Sequence, residues 1–496
     1  MQEDSVTRNA AFAFAAKMVG AVLTAALTIF LGRNLSEQAY GAFAFALSVG
    51  MLVSLVSDLS ISSSAQRFVS ERRDDLEGAA DVVRISLRAK VLLAFATSAA
   101  LFAVAVPLCD VFGVPEAVWA VRGVAVSACS ETLFLFVLAT FVSLARIRYN
   151  ALIAFCESAV EVSASVVLVL LGAGAGGAAF GRAIGYAVGL VVGLVLLGRL
   201  LGSLRRAPQA RRPNAVTREQ ILRYAAPLIA VDVAFRLFES IDVLLIAAIL
   251  GSAEKVAAFE LPMRLAAFLD YPVAAISSAV APRLARGSSG PDVRTFVAAL
   301  RLTTIIQLVW VAPLLVWPET IIHLLFGDKF PEAPGVLRAL VPFVVLAGIA
   351  QLVTVSVNYL GEGRRRVPIA IAMVTINVVI DVTLLPTLGV VAAAIGTSVA
   401  YIVWVPSHIL ILNRSAGVPI RPVVVTTLRG LVAAGAMSAV LLALGTGDLP
   451  LWRILAGAVA GPLAYAAALV VTRELRRQDA RDLQDLLRRR RGPAVP

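Results

Sequence analysis

Apolar runs long enough to cross a bilayer recur from Ala10 almost to Val471, and connections rich in arginine interrupt every second one. A window of about 19 residues, the length that spans hydrocarbon as a helix, predicts helices near 10–31, 40–60, 90–111, 118–142, 151–172 and 177–200. A second set lies near 222–249, 256–281, 295–317, 337–361, 366–387 and 389–412, and a final pair near 423–444 and 452–472. The chain reads as an all-α polytopic membrane protein with about fourteen transmembrane helices. An even number of spans places both termini on one side.

The cations choose that side. Arg67, Arg72, Arg73, Arg84, Arg88, Arg146, Arg148, Arg205, Arg206, Arg211, Arg212 and Arg218 fall in alternate connections, followed by Arg283, Arg286, Arg294, Arg364, Arg365, Arg366, Arg414, Arg421 and the tail from Arg473 to Arg491. The opposite connections hold little beyond Arg33, Lys255, Lys329, Arg338 and Arg453. Lysine and arginine retain loops in the cytoplasm, so both termini are expected there and the protein in the plasma membrane. Composition agrees: 59% of residues are hydrophobic, 15% are charged, and the mean hydropathy is +0.87.

The net charge of +12 would suit nucleic acid, but the loop pattern already demands those cations, so no nucleic-acid partner is expected. The first apolar run is too long for a cleavable signal and is expected to stay as the first span. Cys109, Cys129 and Cys156 are odd in number and lie in or beside spans, and His323 and His408 are far apart. Neither a disulfide framework nor a metal site follows. No lysine is followed by serine or threonine as a P-loop requires, there is no Asp-x-Asp, and no outer loop is long. No cofactor is expected, and an enzyme is disfavoured.

An internal repeat organises the spans. Gly174-Ala-Gly-Gly-Ala-Ala-Phe-Gly181 returns in outline as Gly389-Val-Val-Ala-Ala-Ala-Ile-Gly396, and Tyr186 and Tyr401 keep the same offset. Ile61-Ser-Ser and Ile276-Ser-Ser share it. The expected organisation is an N-lobe over 1–204, a basic linker over 205–220 containing Pro208 and Pro213, and a C-lobe over 221–413. Two extra helices over 414–472 and a basic cytoplasmic tail over 473–496 complete it. Repeats that enter from the same side are related by an axis along the membrane normal.

Ionisable residues inside spans cost roughly 2.5–3.5 kcal/mol each at mid-helix, so they need a partner or a wet cavity. Lys17, Asp58, Glu131, Glu157, Glu161, Asp232, Arg236, Glu239, Asp242, Glu260, Arg264, Asp270 and Asp381 all fall there. Glu157/Glu161 and Glu260/Arg264 are i,i+4 pairs on single helix faces, and Asp232, Arg236 and Glu239 share one stripe. Local salt bridges explain part of this set. A hydrated cavity, with cations for an anionic headgroup and carboxylates for protons, is the alternative. Asp58, Glu157 and Glu161 lack a nearby cation on their own helices and are expected as proton or ion-coupling sites, with Glu131 and Asp242.

Phe30-Leu-Gly-Arg-Asn-Leu-Ser-Glu-Gln-Ala-Tyr-Gly41, Leu324-Leu-Phe-Gly-Asp-Lys-Phe-Pro-Glu-Ala333, Gly361-Glu-Gly-Arg-Arg365, and Asn377 with Leu385-Pro386, Gly389 and Ala393-Ala-Ile-Gly-Thr397 resemble the multidrug/oligosaccharidyl-lipid/polysaccharide (MOP) exporter superfamily. The polysaccharide-type, Wzx-like flippases are the nearest likeness. The resemblance implies a V-shaped, two-lobed helical fold working by alternating access on a polyprenyl-diphosphate-linked oligosaccharide, with the final two helices added to it. Lys17, Arg236 and Arg264, with Arg182 near the end of span 6, would then hold the diphosphate. Implied partners are the lipid-linked substrate, membrane lipids, a polysaccharide polymerase and glycosyltransferases. Fourteen spans keep a lipid II flippase as an alternative; a drug/cation antiporter and a non-transporting scaffold stand behind it.

Overall fold

A computed structural model describes residues 3–72, 75–202, 218–270 and 292–474, together with Val273, Ile276, Ser277 and Val280. Those residues form helices and connections without a strand. Among the described residues, eleven helices are long and apolar enough to cross a membrane. Three further helices, α1 (Glu3–Asn34), α8 (Arg218–Leu250) and α9 (Ala253–Phe268), occupy the positions of predicted spans 1, 7 and 8. Helix α8 is highly charged, and the described part of α9 is only 16 residues long, which is why neither is picked out by length and apolarity. Residues 205–217 of the basic linker, 475–496 of the tail, and Arg283 and Arg286 lie outside the described residues.

Packing divides the chain into two compact units: Met1–Glu260 with Asp381–Gly389, and Leu261–Ile380 with Val390–Pro496. In the first, α2 (Glu37–Asp58), α3 (Ile61–Ser70), α4 (Leu76–Val111), α5 (Val118–Ser143), α6 (Ile147–Leu168) and α7 (Gly174–Leu201) assemble with α1 and α8. Ser36 caps α2 by accepting the Ala39 N–H at 3.1 Å, and Asp75 caps α4 by accepting the Gly78 N–H at 3.0 Å. Such caps satisfy amides that have no partner inside the helix. Helix α4 starts well before the span predicted at 90–111, because its first turns are too charged for a hydropathy window.

The core of this unit is built where α5 and α6 meet α7, around Phe136, Val137, Phe141, Ile153 and Leu197. Gly181, Gly185, Gly189 and Gly193 form a stripe along α7. A Cβ on Gly185 would lie 2.6 Å from Glu161 Cβ, and one on Gly189 2.7 Å from Glu157 Cβ. Lipid tails are as apolar as leucine, so close backbone approach rather than hydrophobic exclusion holds such helices together.

In the second unit α10 (Val293–Leu308), α11 (Val311–Val316), α12 (Pro318–Phe326), α13 (Ala333–Ala339), α14 (Val341–Tyr359) and α16 (Val391–Ala416) form the body, with most of α15 (Arg366–Leu388). The hairpin α17 (Ile420–Leu444) and α18 (Leu451–Val471) is fastened to that body along its length. At one end Trp317 Nε1 donates to Gly445 O at 2.8 Å and Thr320 to Gly447 O at 2.7 Å; midway Tyr465 donates to Ile305 O at 2.8 Å. At the other end Glu474 is buried and receives Arg301 at 2.7 Å and Arg429 at 3.0 Å, with Thr426 beside it. Burial pushes the Glu474 carboxyl up, but these three donors outweigh it and hold the group below the usual glutamate range. The glycines matched in the repeat, Gly174 at the start of α7 and Gly389 two residues before α16, both have positive φ (53° and 60°).

Candidate functional site

Three groups of charge lie within the first unit, each made by side chains from different helices. The largest is centred on Arg182 of α7. Its Nη1 donates to Glu161 Oε1 of α6 at 3.1 Å, and its Nη2 donates to Glu131 Oε1 of α5 at 3.1 Å and to the Tyr186 hydroxyl at 2.9 Å. The guanidinium also lies 4.8 Å from the centroid of the Tyr186 ring. Glu157, one turn before Glu161 on α6, is buried; Ser158 donates to its Oε2 at 3.0 Å while Oε1 has no hydrogen-bond partner. Glu157 feels both Glu161 and Arg182. Three carboxylates therefore share one guanidinium. The glycine stripe of α7 makes this possible by letting the α6 backbone, and with it Glu157 and Glu161, approach Arg182.

The second group joins Asp58 at the end of α2 to Lys90 of α4. Lys90 is 1% exposed and donates to Asp58 and, at 2.7 Å, to Ser62 of α3; Ser62 donates to Asp58 at 2.6 Å. Asp58 lacks a cation only on its own helix. The tertiary fold supplies one from a residue that reads in sequence as the edge of a span. Leu59 and Ser60, both left-handed at φ 42° and 55°, break the helix here and turn Ser62 back toward Asp58.

The third group is a pair of aspartates. Asp242 of α8 and Asp381 of α15 are buried side by side, and neither oxygen of Asp381 has a hydrogen-bond donor. Asn377, one turn earlier on α15, is also buried, and its amide lacks a hydrogen-bond partner among the described residues. Two ionised carboxylates in a low-dielectric interior repel strongly, so the pair requires a shared proton or a cation between the two groups. Asp381 was visible only as one acidic residue in an apolar span. Its spacing of four from Asn377 was the available signal.

The remaining expected cations are more dispersed. Arg236 of α8 makes a long 3.4 Å contact with Glu239, and the two side chains are 43% and 49% exposed. Arg264 is half-buried on α9. Lys17 belongs to α1, but its side chain lies outside the described residues, as does that of Asp232. In the second unit Gln307 donates to Asp270 at 2.6 Å and to Val344 O at 3.0 Å, and Arg366 donates to Asn358 at 2.6 Å and to His408 Nε2 at 3.3 Å. These donors all find acceptors nearby, while the buried Gln307 Oε1 has no hydrogen-bond partner among the described residues.

Residues 6–288, more than half of the sequence, match the model of the family described as polysaccharide biosynthesis protein. The chain belongs to that family. Among solved structures it is similar to the lipid II flippase MurJ in an inward closed conformation, with a TM-score of 0.73 at 14% identity over 93% of this chain and 99% of that one. It is also similar to the MATE multidrug transporter DinF-BH (TM-score 0.61, 15% identity, 82% and 94% covered). An inward-facing multidrug resistance MATE transporter of the MOP superfamily aligns with a TM-score of 0.58 at 17% identity over 84% and 95%. No curated protein matches the sequence. The three similar structures, a flippase and two multidrug transporters by name, share the fold of this chain. The chain is accordingly a multi-pass helical membrane protein of the polysaccharide biosynthesis family.

Proposed function

We propose that the protein translocates a polyprenyl-diphosphate-linked oligosaccharide from the cytoplasmic to the outer leaflet of the plasma membrane by alternating access. The observation that carries this reading is the family match over residues 6–288 in a chain whose membrane interior holds acidic groups in excess of their cations. The lobes, 1–204 and 221–413, would move about the linker 205–220, with both termini in the cytoplasm. Arg236, accessible and only loosely held by Glu239, would take the diphosphate together with Arg264 and Lys17. Arg182 is committed to two carboxylates and would act by setting the charge of the cluster rather than by contacting substrate directly.

A headgroup with two negative charges gains roughly 4–5 kcal/mol per 100 mV on moving outward. Exchange of a proton or cation at Asp242–Asp381, and of a proton at Glu157 and Glu161, would give the cycle its direction. Polymerase and glycosyltransferases would supply and consume the substrate at the two faces. The deciding experiment follows headgroup accessibility in vesicles reconstituted with the protein. Arg236→Ala should abolish time-dependent crossing while insertion is retained, and Asp381→Asn should remove its dependence on the ion gradient. Crossing by Arg236→Ala at the wild-type rate would remove that residue from the site, and no crossing by the wild type would leave a scaffold.

The lipid II alternative has a specific observation in its favour: the hairpin α17–α18 is bonded to its unit at both ends, and the fold covers 99% of the lipid II flippase MurJ. Offering lipid II and a lipid-linked oligosaccharide to the same vesicles separates the two readings.

A further inference from the structure

Arg122, in the second turn of α5, has no role in the transport reading. It is the single half-buried arginine among the described residues whose guanidinium has neither a hydrogen bond nor an ion pair; its Nε is buried without an acceptor. Two aromatic rings hold it instead. The Phe102 centroid of α4 is 5.3 Å from Arg122 Cζ and the Trp119 centroid of α5 is 5.1 Å from it. Both rings are exposed, Trp119 at 62% and Phe102 at 41%, and Val104 and Val126 beside them on the same helices are exposed as well.

In a membrane-spanning bundle an apolar exposed surface of this kind faces acyl chains. Helix α5 follows directly on the short turn Pro115–Ala117, so Arg122 lies about 7–10 Å inside the α4–α5 connection at 1.5 Å per residue. That is the depth at which tryptophan gathers and at which charged side chains reach for headgroups. Asp110 and Glu116, both exposed at the connection, make no ion pair with it.

The geometry points to a lipid-phosphate site on the outside of the first unit, in which Arg122 binds the phosphodiester of a bilayer phospholipid while Trp119 and Phe102 line its glycerol and first methylenes. The planar fork of arginine matches two phosphate oxygens, and the stacked rings restrict its rotation so that little freedom is lost on binding. A phospholipid is favoured over the polyprenyl cargo because the surface is open to the bilayer, where phosphodiesters are the abundant anion at this depth. The site is independent of the translocation cycle.

Purified, delipidated protein titrated with phosphatidylglycerol and weighed intact in the mass spectrometer tests it. Arg122→Gln should retain one fewer tightly bound lipid, with about a ten-fold weaker affinity at that site, the loss of one charge-assisted contact; Arg122→Lys should fall between. The wild type alone supplies a second measurement: diacylglycerol with the same chains should show no saturable binding, and millimolar inorganic phosphate should not displace the phospholipid. Equal binding of phosphatidylglycerol by Arg122→Gln, equal binding of diacylglycerol by the wild type, or binding of polyprenyl diphosphate in place of phospholipid would each overturn the assignment.

Discussion

The Arg182 cluster and the Glu474 clamp use the same two side-chain types in opposite proportion. In the first, one guanidinium serves Glu131 and Glu161 directly and Glu157 at a distance, and one oxygen of Glu157 has no donor. In the second, two guanidiniums and a threonine converge on one carboxylate that is 1% exposed. The clamp is saturated, and the only thing it can do is hold α10, α17 and the end of α18 together. The cluster holds more carboxyl groups than cations inside the bilayer, where ionising all of them is costly. Charge balance, more than burial or the number of contacts, separates the group that can respond to an ion from the group that fastens helices.

The strongest way to break this comparison is to remove the hub. Arg182→Ala should lower stability by about 3–5 kcal/mol, the cost of stranding buried charge, and abolish translocation. Thermal unfolding in detergent and vesicle assays would read the two effects, and adding Glu161→Gln should return part of the stability if charge is the cause. Separating the helices without touching charge comes next. Gly185→Val places methyls against the Glu161 backbone and should cost about 1–3 kcal/mol, read by the same unfolding assay.

On the other side of the comparison, Glu474→Gln should destabilise by about 1–3 kcal/mol while translocation persists at a temperature where the variant stays folded. The clamp should also respond to acid with a defined sign. A glutamate held below its ordinary value of about 4.3 contributes stability that is fully present above that pH and is lost as pH falls through the folded value. Acidification below about pH 4 should therefore weaken the wild type more than Glu474→Gln. The smallest effect on stability belongs to Glu157→Gln, within about 0.5 kcal/mol of the wild type, with a flatter dependence of translocation on pH. A large stability loss there with unchanged pH dependence would make Glu157 structural and erase the contrast.

Most of the helices were legible because the bilayer allows few alternatives: backbone groups without water must be satisfied within a helix. The pairing of Glu157 with Glu161 was legible for the same reason, since four residues bring side chains to one face. Arg182 with Glu131, and Lys90 with Asp58, were not, because such pairs depend on how separate helices register against one another. Asp58 looked solitary when only α2 was considered. Lys90 looked like a span boundary because hydropathy stops at the first charge, although α4 runs from Leu76 through it and buries it. Asp381 required α8 to bring Asp242 beside it, a proximity no spacing on one helix encodes.

Arg301 and Glu474 are 173 residues apart, and this separation gives the clamp a place in biogenesis. While the ribosome is still making α17 and α18, Glu474 is not yet there for Arg301 and Arg429 to meet. Helix α18 must leave the translocon before this bond forms, so the second unit is closed at its far end only after α18 has been made. A nascent chain arrested before Glu474 would lack the carboxylate that joins Arg301 to Arg429.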